Sequence, residues 1–165
     1  MIAPELSPDH EVGVAVSGGK DSTALALWVE FESGMLNRRH YVFTDTGHEH
    51  PATLHHLDLL EKKLGREILR VAGKHTFISL CVEKQRFPAQ GSRFCTTTLK
   101  IDPLRDWVEE HTANPVIAFG IRAEESRMRA DLPLWQDGHF ERYQNAYDCP
   151  LWRPLISWSW KEVFA

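Results

Sequence analysis

Six consecutive residues have types suited to binding phosphate groups: Ser17, Gly18, Gly19, Lys20, Asp21 and Ser22. The two glycines let the backbone approach an anion without a Cβ in the way. Lys20 supplies a positive point charge, and the serine hydroxyls are hydrogen-bond donors. Asp21 suits the first turn of a helix and can coordinate a hard cation such as Mg²⁺. The composition of this loop predicts a phosphate site, with Lys20 as a candidate catalytic residue.

The position of the loop supports this prediction. It follows an apolar run, residues 12–16, that is typical of a buried strand, and it precedes residues 22–34, which have helical spacing. Backbone N–H groups and the positive end of a helix dipole converge at such a junction. Asp21 follows the lysine where a Walker A motif requires Ser or Thr, and the G-x-G-x-x-G pattern is absent too. The alternative is a tight strand-to-helix turn with an incidental lysine.

Strand and helix patterns alternate along most of the chain, which favours a mainly parallel sheet covered on both faces. The predicted strands are residues 12–16, 41–44, 67–71 and 116–121, and the predicted helices are residues 22–34, 51–64, 75–83 and 96–111. Pro51 and Gly65 bound the second helix, and Pro103 forces a start or a kink in the fourth. Residues 87–93 are predicted to be loop, residues 124–129 a short charged segment, and residues 131–154, which lack periodicity, a long irregular segment.

The end of the chain carries a capping-box pair, Ser159 and Glu162, followed by only three residues. So short a helix is marginal by itself. We therefore expect a truncated chain or a tightly docked final helix, and favour a missing or very short C-terminal extension. Residues 1–165 are otherwise predicted to form a single domain.

Composition excludes several classes of protein. With 42% hydrophobic and 25% charged residues, the chain resembles an ordinary globular protein, and it has neither a signal-peptide pattern nor an apolar run of membrane-spanning length. We therefore expect a cytoplasmic protein without a membrane partner. A net charge of −4 argues against broad affinity for nucleic acid. Nucleic acid is not excluded, because two local basic clusters remain: Arg122, Arg127 and Arg129, and Arg86, Arg93 and Lys100.

The loop at residues 17–22 resembles the pyrophosphate-binding (PP) loop of the ATP-pyrophosphatase, or adenine nucleotide α-hydrolase, superfamily. Further along, the chain resembles one branch of it, the phosphoadenosine phosphosulfate (PAPS) reductase family. Four blocks carry this resemblance in the right order: residues 43–47 before the Pro51 helix, residues 95–100 with Pro103 and Leu104, residues 120–122 with Glu125, Ser126 and Arg127, and residues 154–156 with Trp158 and Trp160. The resemblance implies a Rossmann-like (HUP-type) α/β three-layer sandwich with a mainly parallel sheet of about five strands.

Residues at or just after the ends of two other strands become candidates for the same nucleotide site, because ligands bind at the carboxyl ends of strands in such sheets. They are Asp45, Thr46, Gly47, Gly120, Arg122 and Arg127. Asp45 is a candidate ligand for Mg²⁺ or for the nucleotide, with helix capping as the alternative. Guanidinium groups grip phosphate or sulfate oxygens, so the resemblance implies that the arginines hold the anionic end of the substrate. The alternative is a charged helix in which Glu124 and Glu125 pair with the arginines.

Cys95 is expected near a helix N-terminus, which favours thiol reactivity, and is a second candidate catalytic residue, with a buried or capping thiol as the alternative. The iron–sulfur branch of the resembling family has a Cys-Cys pair here, whereas this chain has Cys95-Thr96, and Cys149 stands alone. No iron–sulfur cluster is therefore expected.

The histidines at 48, 50, 55 and 56 fit no zinc pattern. The tryptophans at 135, 152, 158 and 160 suit base stacking or core packing.

Three functions remain open. The first is an ATP-using PP-loop enzyme of the PAPS reductase family, which cleaves between the α- and β-phosphates or transfers sulfur or an adenylyl group. The second is a reductase of PAPS or adenylyl sulfate (APS) that lacks its catalytic tail, since no cysteine follows Trp160. The third is a nucleotide-binding accessory module without turnover, linked to nucleic-acid modification or defence. The ligand is ATP, PAPS or APS, with Mg²⁺ as a candidate cofactor and a homodimer or protein partner near the C-terminus.

Overall fold

The computed structural model describes residues 5–89, 92–137 and 147–165. In these residues six strands form one sheet in the order β3-β2-β1-β4-β6-β5. The strands are β1 (Glu11–Val16), β2 (Arg39–Thr44), β3 (Ile68–Val71), β4 (Pro115–Phe119), β5 (Trp135–Gln136) and β6 (Leu151–Trp152). The helices are α1 (Lys20–Phe31), α2 (Pro51–Leu64), α3 (Phe77–Lys84), α4 (Phe94–Thr96), α5 (Asp102–His111), α6 (Arg127–Ala130) and α7 (Trp160–Val163).

The sheet is mainly parallel, as predicted. β1 pairs with β2 and β4, β2 with β3, and β4 with β6, all in parallel, and β5 pairs with β6 in antiparallel. The expectation of about five strands was one too few, and part of the segment predicted to be irregular forms β5 and β6. Two-residue strands are too short to show a period-2 pattern, so periodicity could not reveal them. The part of that segment at 138–146 lies outside the described residues.

Both faces of the sheet are buried, which confirms the Rossmann-like three-layer architecture. On one face Val12 and Val14 of β1 pack in a cluster with residues of α1 and α2. On the other face Ile117 of β4 packs with Leu104 and Val108 of α5. Strands buried on both faces have continuous rather than alternating apolar sequence, and this is why β1 and β4 were recognisable as apolar runs.

Helix α2 has the predicted bounds, and Gly65 ends it with a left-handed φ of 64°. Helix α1 begins at Lys20, two residues before the predicted start, so the lysine lies in the first turn. The helix predicted at 96–111 comprises α4, a π-helical turn at Thr97–Ile101, and α5. Pro103 lies in the first turn of α5, where its missing N–H needs no partner.

The final helix α7 has the predicted capping box. Ser159 and Glu162 each bond the other's backbone N–H. In the described parts of the chain, no helix combines the length and apolar character needed to cross a bilayer.

Candidate nucleotide site

The candidate phosphate loop, residues 17–22, follows β1 at the point where the chain order of the strands changes direction. β1 has β2 on one side and β4 on the other, and crevices that bind ligands open at this point outside the carboxyl ends of the strands. A cavity of about 160 Å³ occupies the position. Its lining includes Val16, Ser17, Ser22, Thr44, Lys100, Leu104, Phe119, Gly120, Ile121 and Tyr147. The end of β1, the loop and the end of β4 therefore share one cleft.

Two glycines determine the conformation of the loop. Gly18 has a φ of 75°, and a Cβ on it would lie 2.7 Å from the methyl carbon of Thr53. Gly19 is the N-cap of α1 in an extended conformation and has no side chain to cap the helix. The first N–H groups of a helix have no partner within the helix, so those of α1 are directed towards any ligand at this end.

The two serines hold the loop in shape. The Ser22 hydroxyl lies 3.0 Å from three loop atoms: the Ser17 amide nitrogen, the Ser17 hydroxyl and the carbonyl oxygen of Gly19. Ser22 is buried, whereas Ser17 is exposed at the cleft. Ser22 thus stabilises the turn from inside, and Ser17 lies where its hydroxyl can reach a ligand.

Asp21 lies between two cations. Lys20 Nζ pairs with its carboxylate, and Arg122 Nε donates to Oδ1 over 2.6 Å. Burial opposes ionisation of Asp21, but the hydrogen bonds from Lys20 and Arg122 outweigh it, and the pKa of Asp21 lies below its ordinary value. An ionised carboxylate whose charge is balanced by two cations is poorly suited to coordinate Mg²⁺. Lys20 remains partly exposed, which leaves its ammonium able to exchange Asp21 for a phosphate.

Arg122 is buried, and its charge is engaged within the chain. Besides Asp21, its guanidinium donates to Glu124 Oε2 over 3.0 Å, and its backbone N–H donates to Glu125. This geometry favours the alternative in which acidic residues pair with the arginine. Arg129 pairs in turn with Glu125, whereas Arg127 is exposed on α6 and has no ion pair in the described residues. Arg127 therefore remains the candidate of this segment for an external anion.

Asp45, Thr46 and Gly47 follow β2, at the same edge of the sheet. Asp45 Oδ1 accepts from the Gly47 N–H over 2.7 Å, and Gly47 has a φ of 67°. The Thr46 hydroxyl donates a hydrogen bond to the Glu49 carboxylate over 2.7 Å. Capping of α2, the alternative proposed for Asp45, is wrong, because the cap is His50, whose Nδ1 accepts from Ala52 N–H.

Gly120 contributes a close approach of two backbones. A Cβ at this position would lie 2.6 Å from the carbonyl oxygen of Asp21 and 2.8 Å from the amide nitrogen of Ser22. The end of β4 therefore packs directly on the first turn of α1. Gly120 lines the cleft, and its close contact with α1 also determines the position of the phosphate loop.

A second cavity, of about 310 Å³, adjoins the first. It is lined by Thr46, His48, Glu49, Phe77, Cys95, Leu99 and Lys100, and Lys100 lines the first cavity as well. Cys95 lies in α4 and is partly exposed, whereas Cys81 and Cys149 are buried. Burial raises the pKa of the Cys149 thiol to about 12. Cys95 is thus the cysteine whose thiol lines the second cavity.

Several residues of the cleft were not identified as site residues from sequence. Phe119 and Tyr147 have ring centroids 5.6 Å apart, and burial raises the pKa of Tyr147 to about 12. Phe119 could have been found, since it precedes Gly120 at the end of a recognised strand. Tyr147 lies in a segment without periodicity, so nothing in the sequence placed it near the loop. Leu104 was recognised from sequence only as part of the block, residues 95–100 with Pro103 and Leu104, that resembles the PAPS reductase family.

Most of the other aromatic and histidine candidates pack against or bond to neighbouring residues. Trp152 is fully buried, so base stacking is wrong for it, and Trp158 packs edge-on against Trp28. Trp135 is half-buried and donates to Asp137, whereas Trp160 is exposed. His48 stacks on Phe77, and His56 bonds Thr23. Within the residues described, no three His, Cys, Asp or Glu side chains are grouped so as to hold a metal ion.

A Rossmann-like sheet with this loop at the end of its first strand is the architecture of the PP-loop class of adenine-nucleotide-binding folds. The chain matches the phosphoadenosine phosphosulfate reductase domain over residues 11–165, and it belongs to that family.

One curated relative is described as an "Uncharacterized 37.8 kDa protein in gpa 5'region" of Escherichia phage 186. It is 33% identical over 92% of this chain, and the match spans 58% of the relative's length. This chain thus corresponds to little more than half of that protein.

Two solved structures share the fold at low sequence identity. PAPS reductase from Candida auris, in a phosphate complex, has a TM-score of 0.62 and 14% identity over 96% of this chain and 70% of its own. FMN adenylyltransferase from Candida glabrata, in complex with FAD and inorganic pyrophosphate, has a TM-score of 0.59 and 16% identity over 98% of this chain and 49% of its own.

Proposed function

We propose that the chain binds an adenine nucleotide, with the phosphates on residues 17–22 and the base in the 160 Å³ cavity. The observation that carries this proposal is the uncapped first turn of α1, whose amides open onto a cleft at the reversal of strand order. Phe119, Tyr147 and Leu104 supply apolar walls for a planar base.

We propose further that the nucleotide is ATP and that water or an acceptor nucleophile attacks its α-phosphorus, which breaks the bond to the β-phosphate and releases pyrophosphate. Negative charge then develops on the departing pyrophosphate. The loop amides, the Ser17 hydroxyl and the Lys20 ammonium are aimed at this charge and stabilise it electrostatically. Lys20 leaves Asp21 for the phosphates, and Asp21 keeps Arg122 as its counter-ion. The adenylyl transferase among the fold neighbours, in complex with FAD and pyrophosphate, supports this assignment.

The second candidate is a reductase of PAPS or APS. Membership of the PAPS reductase domain family favours it. Lys100, which lines both cavities, and the exposed Arg127 are the cations that this function would use for the sulfonucleotide, because Arg122 is engaged by Asp21 and Glu124. The third candidate is an accessory module that binds the nucleotide without turnover.

The test is a product assay on the purified protein. ATP and Mg²⁺ should yield AMP, or an AMP adduct, and pyrophosphate. Sulfite release from PAPS or APS with thioredoxin would replace this proposal with the reductase. Tight ATP binding with neither product would leave the accessory module. Absence of binding to all three nucleotides would contradict the nucleotide site itself.

A further inference from the structure

Two residues of helix α2 contact the phosphate loop and the first turn of α1. At the tip of the loop, the methyl group of Thr53 occupies the space that a Cβ on Gly18 would need, at 2.7 Å. At the base of the loop, His56 Nε2 lies 2.9 Å from the hydroxyl oxygen of Thr23, in the first turn of α1. Thr53 and His56 are three residues apart and therefore share one face of α2.

The same face of α2 is anchored in the core. Leu57 and Leu60 are buried in the cluster that includes the apolar residues of β1. Thr53 and His56 extend this anchored face to the part of α1 that carries the binding amides. Their position relative to the sheet is therefore fixed by core packing, and the loop is held between α2 and the end of β4.

From these contacts we infer that His56 is a positioning residue of the phosphate site, which acts through Thr23 and touches no ligand. The inference rests on the proposed nucleotide site. The hydrogen bond ties the first turn of α1 to α2, so the loop amides are aimed before the phosphates arrive. Without it the first turn loses one of its lateral supports, which also include the backbone contact at Gly120 and the bond of Asp21 to Arg122.

A binding comparison tests this role. His56→Ala should weaken ATP and pyrophosphate binding about three- to tenfold, the range expected for one lost hydrogen bond. Adenosine, which has no phosphate to reach the loop, should bind as tightly as it does to the wild type. His56→Gln should restore ATP affinity, because a side-chain amide can donate to or accept from Thr23. His55→Ala, the exposed neighbour on the same helix, is the matched control and should change nothing.

A second variant and a ligand-free measurement guard against a folding defect. Thr23→Val removes the other partner of the bond, so it should give the same loss, and the double variant should add nothing further. Amide hydrogen exchange at residues 18–23 should be faster in His56→Ala without any ligand. Equal weakening for adenosine, or unchanged ATP affinity with unchanged exchange, would overturn the role of His56. A wild type that binds no nucleotide would instead overturn the proposed function, while the exchange result still decides the positioning role.

Discussion

In the proposed site, Lys20 is the residue on whose charge nucleotide binding should depend most. It is partly exposed in the first turn of α1, and its partner Asp21 keeps a second cation in Arg122. The Lys20 ammonium can therefore move from Asp21 to an incoming phosphate, because Asp21 remains paired with Arg122. This distinguishes it from Arg122, whose burial between Asp21 and Glu124 holds it in place.

Removing the Lys20 charge should weaken nucleotide binding. We expect Lys20→Ala to raise the Kd for ATP about 10- to 100-fold, which corresponds to the loss of one hydrogen bond to a charged group. Isothermal titration measures the change, and Lys62→Ala, an exposed lysine on α2, is the control. Equal Kd values for Lys20→Ala and the wild type would contradict the assignment of the loop.

The Cys95 thiol should react without being needed for ATP binding. Because it is partly exposed at the second cavity while Cys81 and Cys149 are buried, iodoacetamide should label Cys95 first in the folded protein. Mass spectrometry of peptides from brief labelling gives the order. Cys95→Ser should bind ATP as the wild type does. Labelling of Cys149 before Cys95, or lost ATP affinity in Cys95→Ser, would show that the role of this thiol has been misjudged.

At the scale of elements, the site depends on how closely β4 approaches α1. Gly120→Ala would drive a methyl group into the backbone of Asp21 and Ser22, which cannot move aside as a side chain can. We expect a loss of about 1–3 kcal/mol in the free energy of unfolding, typical of an overpacked site, together with weaker ATP binding. Urea denaturation and titration measure the two effects.

Gly13→Ala is the matched control for Gly120→Ala. Gly13 lies in β1, and a Cβ there would meet its nearest neighbour at 3.8 Å, an ordinary contact. If the two alanine variants proved equally stable and bound ATP equally well, the close packing of β4 on α1 would not be what positions the loop.

The elements near the loop were predictable because their signals are local. Glycines, the lysine and an apolar run identify the strand, turn and helix directly, and Pro51 and Gly65 gave the bounds of α2. The contacts that complete the site are not local. The ion pair of Asp21 with Arg122 joins residues 101 positions apart, and the bond of Thr23 with His56 joins residues 33 positions apart. Single-sequence patterns carry no information on such pairs, which is why Arg122 was expected to hold the substrate and no role was predicted for His56.

For the molecule as a whole, one partly buried carboxylate links α1 to β2 and to the segment between α2 and β3. Glu30 of α1 accepts hydrogen bonds from Arg39 and Tyr41 of β2 and from Arg66, next to β3, at 2.7–3.1 Å. The hydrogen bond from Arg39 is the largest cause that lowers the pKa of Glu30, from 4.5 to about 2. A depressed pKa means that the folded state favours the ionised form. This stabilisation is therefore present above pH 4.5 and is lost as the pH falls towards 2.

The Glu30 cluster should thus give the fold an acid-sensitive part of its stability. Between pH 7 and about pH 3, we expect the wild type to lose about 2 kcal/mol of unfolding free energy more than Glu30→Gln does. Urea denaturation at the two pH values measures the difference, and Glu67→Gln, an exposed glutamate, is the control. The same acid sensitivity in Glu30→Gln and the wild type would mean that other carboxylates dominate the acid response.

In the proposed site, the strand-to-helix junction after β1 holds the phosphates of an adenine nucleotide. The most direct measurement is a crystal structure of the protein soaked with ATP and Mg²⁺. We predict density for the β- and γ-phosphates within hydrogen-bonding distance of the amides of residues 18–22, with Lys20 Nζ moved from Asp21 to a phosphate oxygen and the base beside Phe119 and Tyr147. Phosphate density elsewhere on the protein, with Lys20 still paired to Asp21 and the cleft empty, would contradict the claim.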